Sequence, residues 1–210
     1  AKAEPVRLRV LCYNIHHAEG VDGKLDVPRI ARVILSVKPD LVALQEVDNK
    51  TERTQRVDQV AELARLTQMK SVFGPNIDFQ GGHYGHAILS RFPIARHKNH
   101  HLPNVDAGEQ RGVLESVIKI SKNQSVLFLA THFDHRRPSD YSALPGCAAS
   151  MVDVRASDPL TFIFFGHPGH FHSNDSPYPR YEGQPIGLHP LKQNRHSLAE
   201  EYILCLSQRT

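Results

Sequence analysis

The sequence predicts an α/β protein of the α+β kind, with a largely antiparallel sheet and helices on an outer face. Three observations lead there. Apolar runs of strand length outnumber amphipathic runs of helical length. The runs are joined both by a turn of hairpin length and by helical crossovers, a mixture foreign to a doubly wound parallel sheet. With 210 residues, 40% of them hydrophobic and 22% charged, the chain has the size of one globular domain, placed at residues 6–210.

The first predicted strand runs from Arg7 to Tyr13 and ends on Asn14, before a Gly/Asp-rich turn from His17 to Gly23. A helix follows from Val27 to Val37, because Ile30, Val33, Ile34 and Val37 recur at helical spacing. Asp26 stands at its N-cap and Pro28 in its first turn, and Pro39-Asp40 closes it. Leu41 to Glu46 is a continuous apolar strand capped by a carboxylate. Gln55 to Thr67 reads as a second helix with Val57, Val60, Leu63, Ala64 and Leu66 inward. Short strands are predicted at Lys70 to Phe73 and Tyr84 to Ser90, the latter broken by Phe92-Pro93. Gly112 to Ile120, the turn Ser121 to Gln124, and Ser125 to Thr131 form a hairpin ending on His132.

Beyond Pro138 the composition shifts. The last 73 residues hold 8 of the 14 prolines but only 5 of the 25 Lys/Arg, and carry −2 where the first 137 carry +5. A strand from Leu160 to Phe165 and a weaker apolar run from Tyr202 to Leu206 enclose a stretch, Ser173 to Arg195, whose prolines forbid long regular elements.

Three apolar strands thus end on Asn14, Glu46 and His132. A buried strand holds the group it carries in one place, which suits a site built for chemistry. Taken alone, Asn14 reads as a turn former and Glu46 as an exposed strand-end acid. Fourteen histidines include the pairs His16-His17 and His100-His101. Neighbouring side chains of an extended segment point to opposite faces, so adjacency alone does not predict a chelate.

Several classes are excluded or disfavoured. No stretch approaches the roughly 20 apolar residues of a membrane span, and the first residues are too polar for a signal peptide. The opening Ala1-Lys2-Ala3-Glu4-Pro5, without Met, points to an exported mature chain. Cys12, Cys147 and Cys205 lack metal-type spacing, and their odd number argues against a disulfide framework. The net charge of +3 suits an anionic substrate. Trp is absent and no basic stripe is interleaved with aromatics, so a large nucleic-acid footprint is not indicated. Oligomeric state is left open.

The run Leu11-Cys12-Tyr13-Asn14, the box Gln45-Glu46-Val47-Asp48, the segment Gly85 to Arg91, Arg111-Gly112, and Thr131-His132-Phe133-Asp134-His135-Arg136 occur in that order. Together they resemble the endonuclease/exonuclease/phosphatase superfamily of metal-dependent phosphoesterases, the resemblance covering residues 7–140. It implies a four-layer α/β sandwich of two mainly antiparallel sheets, with the active site at the edge between them. It implies Glu46 as principal ligand of Mg²⁺, with Mn²⁺ as the alternative ion, and Asn14 as its polar neighbour. By the same resemblance His132 contacts the scissile phosphate, Arg111 grips its oxygens, and Asp134 or His135 orients neighbours. His86 stands where many relatives carry Asn. The substrate implied is a phosphate ester, whether in nucleic acid, a phospholipid head group or a small molecule.

The resemblance thins beyond residue 140. Gly166-His167-Pro168-Gly169 stands where the family has Gly-Asp-x-Asn. Glu200-Glu201-Tyr202-Ile203 echoes its Ile-Asp-Tyr-Ile, and its closing Ser-Asp-His box is absent; His170 and Asp175 lie near the gap. Residues 141–210 are therefore expected to be divergent or altered at the gene level. The partner sheet, which the family resemblance assigns to the second half, is expected to be incomplete. Two functions follow: a phosphoesterase of impaired activity, or a non-catalytic relative keeping the fold and a metal or phosphate pocket. A zinc or other transition-metal binder using the histidines is a third.

Overall fold

The computed structural model describes residues 6–104, 108–132, 148–154 and 161–167, the last two segments through their backbone alone. Among the described residues, nine strands and two α-helices run in the order β1 (Val6–Asn14), α1 (Val27–Val37), β2 (Leu41–Asn49), α2 (Gln59–Thr67), β3 (Lys70–Phe79), β4 (Gly82–Ser90), β5 (Ile94–His101), β6 (Gly112–Lys119), β7 (Ser125–His132), β8 (Ala148–Val154) and β9 (Thr161–His167). They form two mostly antiparallel sheets, one of order β3-β4-β2-β1-β8 and one of order β5-β6-β7-β9. The parallel pairs are β1 with β2, across α1, and β7 with β9.

Strand alternation divides the apolar side chains between two cores. Leu8, Val10 and Cys12 of β1, Leu41 and Ala43 of β2, and Ile88 of β4 meet Leu114, Ile118, Val126, Phe128 and Ala130 of the facing sheet. The opposite face of the first sheet presents Leu11, Val42, Leu44, Ala87 and Leu89 to Ile30 and Ile34 of α1 and to Val60 and Leu63 of α2. The fold is thus an α/β sandwich, and among the described residues three layers are seen: helices, sheet, sheet. No described helix is long and apolar enough to cross a membrane.

The helix α1 has the predicted bounds, with the Asp26 carboxylate accepting the Arg29 N–H at 2.8 Å. The helix α2 starts at Gln59, not Gln55. Gln55 and Arg56 take left-handed φ of 57° and 61°, and Asp58 caps the helix by accepting the Ala61 N–H. Val57, expected inward, is 38% exposed as a result. The strands β5 and β8 were not foreseen. The sequence of β5, Ile94-Ala95-Arg96-His97-Lys98-Asn99-His100-His101, has no apolar alternation because it is an edge strand, where charge is tolerated and blocks further pairing. The expected strand from Leu160 lies at Thr161–His167.

The expectation that the second half supplies the partner sheet is corrected. Three of its four strands, β5, β6 and β7, come from residues 94–132, so its inner face is covered by the part of the chain with the clearest motifs. The expectations placed on Asp134, His135, His170, Asp175, the stretch 173–195 and the run 200–206 lie outside the described residues.

Candidate metal and phosphoester site

The position of Glu46 follows from an irregularity in β2. Against β4, Leu44 pairs with Ala87 and Val47 with Gly85, so Gln45 and Glu46 together oppose His86 alone. This is a β-bulge, and Glu46 adopts φ 56° within it. The extra residue also changes the alternation. Val42, Leu44 and then Val47 share the helix-facing core. β3 bulges on the other side of β4, between Pro75 and Ile77. Both irregularities therefore flank Gly85-His86. A Cβ on Gly85 would lie 2.0 Å from the Gly74 carbonyl oxygen, so the backbones meet here at a distance only glycine permits.

The bulge sets Glu46, 8% exposed, beside the ends of β1 and β7. The Asn14 side-chain amide donates to Glu46 Oε1 at 2.7 Å, while Asn14 Oδ1 accepts the His16 N–H at 3.0 Å. Asn14 is therefore both a turn former and the residue that orients the carboxylate. His132 Nε2 stands 3.8 Å from the same Glu46 oxygen. On the other side of that ring, Arg111 approaches Nδ1 at 3.2 Å and Glu109 at 2.7 Å. An arginine N–H can only donate, so Nδ1 accepts and the ring proton of neutral His132 sits on Nε2, toward Glu46. Asn14, Glu46, His132 and Arg111, drawn from four separated segments, thus lie side by side, with hydrogen bonds joining Asn14 to Glu46 and Arg111 to His132 and a 3.8 Å gap between Glu46 and His132.

A second set of residues joins them from the turn after β1. His16, His17 and Ala18 take successive left-handed φ values of 46°, 43° and 63°. One ring nitrogen each of His16 and His17 and a Glu46 oxygen lie within 4.8 Å of one another. Oxygen and nitrogen donors so placed fit a divalent cation. Burial is the main cause holding the His17 ring below its ordinary pKa, with the Arg53 charge second and Glu19 opposing. The turn is tied to the sheet through Gln59, which donates to the His17 carbonyl at 2.6 Å and accepts the Asp48 N–H at 2.9 Å.

Asp48, fully buried, receives Arg53 through two nitrogens at 2.7 and 2.8 Å and the Thr51 hydroxyl at 2.5 Å. The Arg53 guanidinium lies over the Phe79 and Tyr84 rings, 4.7 and 5.4 Å from their centroids. Burial, then the charges of Glu46 and Glu109, push the Tyr84 phenol well above its ordinary pKa. The phenol stays neutral and able to donate beside the acidic pair.

His86 is buried opposite the bulge, its Nε2 2.8 Å from the Asn76 side-chain amide. It faces His132 edge-on at 6.4 Å. Burial first, and the Arg111 charge second, lower its pKa to about 3 from the ordinary 6.5. A depressed pKa means that the unfolded chain takes up the proton first as pH falls. The contribution of neutral His86 is therefore complete above about pH 6.5 and declines as the pH falls toward about 3. Denaturant unfolding across that window is expected to show falling stability, with a shallower fall in His86→Asn; equal slopes in the two proteins would remove His86 as the cause.

Sequence reasoning named Asn14, Glu46, Arg111 and His132, and the structure brings all four together. It passed over the joint placement of His16 and His17, because they were treated as part of an extended segment. They lie instead in a left-handed turn that sets their rings 4.4 Å apart. The available signal was that Asn14 ends the strand. Asp48, Arg53 and Tyr84 were also missed, since a buried ion pair leaves no periodic trace.

Comparison with known proteins bears on this arrangement. The sequence model of the Endonuclease/Exonuclease/phosphatase family matches residues 11–190. The curated protein YbhP of Escherichia coli, described as uncharacterized, is 31% identical over 161 residues, or 72% of this chain and 63% of its own length. A 5'-tyrosyl-DNA phosphodiesterase of Caenorhabditis elegans is 27% identical over 165 residues, covering 75% of this chain and 41% of the relative. The chain thus spans less than two thirds of the length of these curated relatives. Among solved structures, an endonuclease/exonuclease/phosphatase from Beutenbergia cavernae superposes with a TM-score of 0.52 at 30% identity, over 60% of this chain and 38% of the other.

Proposed function

Because the chain belongs to the endonuclease/exonuclease/phosphatase family, we propose that it is a divalent-metal-dependent hydrolase of phosphodiesters, acting through Glu46, Asn14, His132 and Arg111. The observation that carries this reading is the bulge-delivered Glu46 carboxylate, held by Asn14 at 2.7 Å and approached by His132 at 3.8 Å at the rim between the sheets. Family membership favours Mg²⁺, with Mn²⁺ as the alternative.

Bound at Glu46, a divalent ion would polarise a phosphoryl oxygen and offset charge on the leaving group. Asn14 restrains the Glu46 carboxylate through its hydrogen bond to Oε1. Arg111 holds His132 by Nδ1, so that the Nε2–H is presented on the Glu46 side, where it stabilises a phosphoryl oxygen as charge grows. Arg111 has further N–H groups for a second phosphate oxygen. Water attacks phosphorus in line. The name of the Caenorhabditis elegans relative denotes a DNA phosphodiester, which supports this bond class as substrate.

One sequence observation favours the non-catalytic alternative: Gly166-His167-Pro168-Gly169 offers no carboxylate where the family has its Gly-Asp-x-Asn box. The two are separated by hydrolysis of a chromogenic phosphodiester with Mg²⁺ or Mn²⁺ and then with EDTA. Turnover that the chelator stops supports the enzyme; turnover no greater than that of Glu46→Ala rejects it.

A further inference from the structure

The two halves of the site stand on different sheets, and a polar network joins those sheets beside it. Asn14 and Glu46 belong to β1 and β2, whereas His132 ends β7 and Arg111 precedes β6. We propose that Asn99, Asn76 and His86 form an inter-sheet latch that positions His132 and Arg111 against Glu46. This rests on those residues being the phosphoester site of the proposed function, and it adds three positioning residues.

β3 and β5 are edge strands of the two sheets, and they lie against each other. At the β3 bulge the Pro75 carbonyl accepts the Asn99 side-chain amide at 2.7 Å and the His101 Nε2–H at 2.9 Å, both from β5. That carbonyl dictates the orientations behind it. It can only accept, so the Asn99 NH₂ faces Pro75, and the Asn76 atom that the same NH₂ meets at 3.1 Å is the oxygen. The Asn76 NH₂ is then turned to His86 Nε2, at 2.8 Å. Side chains of β5, β3 and β4 therefore run in a single donor direction from one sheet into the other.

Each end of the network abuts one half of the site. His86 opposes the Gln45-Glu46 bulge, and its ring meets that of His132 edge-on. At the other end His101 pairs with Gly112, and the next residue, Leu102, donates its N–H to the Arg111 carbonyl at 2.8 Å. Asn76 lies between them. A Cβ on Gly112 would collide with Asn76 Oδ1, so the carboxamide is seated on the backbone beside Arg111. Asn76 and His86 are both buried. The apolar contacts between the sheets have no preferred direction, whereas hydrogen bonds fix one alignment. Misplacement of reacting groups by about 1 Å costs about 100-fold in rate, so alignment at this scale decides turnover.

The test uses the full chain and its Asn76→Ala and Asn99→Ala variants, with circular dichroism to check their fold. Asn99 is only half-buried, so its variant carries the test if Asn76→Ala does not fold. Calorimetry measures Mn²⁺, which binds the Glu46 half, and then inorganic phosphate on the Mn²⁺-loaded protein, which needs both halves. Mn²⁺ affinity is expected to be unchanged, because Asn14 and Glu46 keep their own sheet. Phosphate affinity is expected to fall about 10-fold and kcat about 10- to 100-fold. In a His132→Ala background the same changes are expected to cost much less, since a residue they align is gone. A merely structural role would weaken both backgrounds alike. Folded variants with phosphate affinity and kcat unchanged, Mn²⁺ lost in step with phosphate, or equal losses in the two backgrounds overturn the latch. Latch-dependent phosphate binding without hydrolysis would reject the enzyme and keep the latch; hydrolysis undiminished in both variants would do the reverse.

Discussion

Glu46→Gln is expected to lower metal-dependent phosphodiester turnover by a factor on the order of 100 to 1,000, with the fold unchanged. The substitution keeps length, volume and an acceptor for the Asn14 amide, which now meets Glu46 Oε1 at 2.7 Å. It keeps the backbone constraint as well, because Gln and Glu are equally strained at φ 56°. What it removes is the negative charge facing His132 at 3.8 Å and the donors of the His16-His17 turn. Steady-state kinetics at saturating metal, beside a circular-dichroism melt, measure the effect. A folded Glu46→Gln protein with undiminished metal-dependent turnover would remove Glu46 from the mechanism.

Asp48→Ala is expected to destabilise the protein by about 3 kcal/mol, the lower end of what removal of one partner from a buried ion pair costs. The carboxylate is wholly buried, while 30% of the Arg53 side chain is exposed and water recovers part of the loss. Thr51 loses its acceptor as well, and Arg53 is left over the Phe79 and Tyr84 rings without its counter-charge. The backbone N–H at position 48 is retained in the variant and still donates to Gln59, so the hold on the His17 carbonyl is expected to persist. Urea unfolding provides the number. Adding Arg53→Met should return part of the stability by removing the stranded charge; a double variant weaker than the sum of the singles would contradict this account.

How much of this was legible beforehand depends on whether a feature leaves a local pattern. The helix α1 was predicted to the residue because Asp26, Pro28 and the apolar spacing mark it redundantly. β2 and β7 were legible as apolar runs, and with them Glu46 and His132 at their ends. β5 was not, since an edge strand has no need of apolar alternation. The start of α2 was misplaced because the left-handed pair Gln55-Arg56 carries no glycine to announce it. The site divides in the same way. Its strand-end members could be named from the sequence, but the His16-His17 turn and the Asp48–Arg53 pair depend on tertiary contacts with Gln59, Phe79 and Tyr84. Among fourteen histidines, no local pattern marked His16 and His17 as neighbours of Glu46.

The doubled step at Gln45-Glu46 has a consequence for inheritance. Removing the single codon for Glu46 would leave Gln45 facing His86, keep Val47 on its own side, and discard the left-handed residue in β2. The ladder would close and the sheet would be better formed than before. The Glu46 carboxylate can therefore be lost in one event while the strand pairing persists, at the cost of its hydrogen bond with Asn14. Whether descendants of this chain retain two residues at that step records whether the Glu46 carboxylate was still under selection.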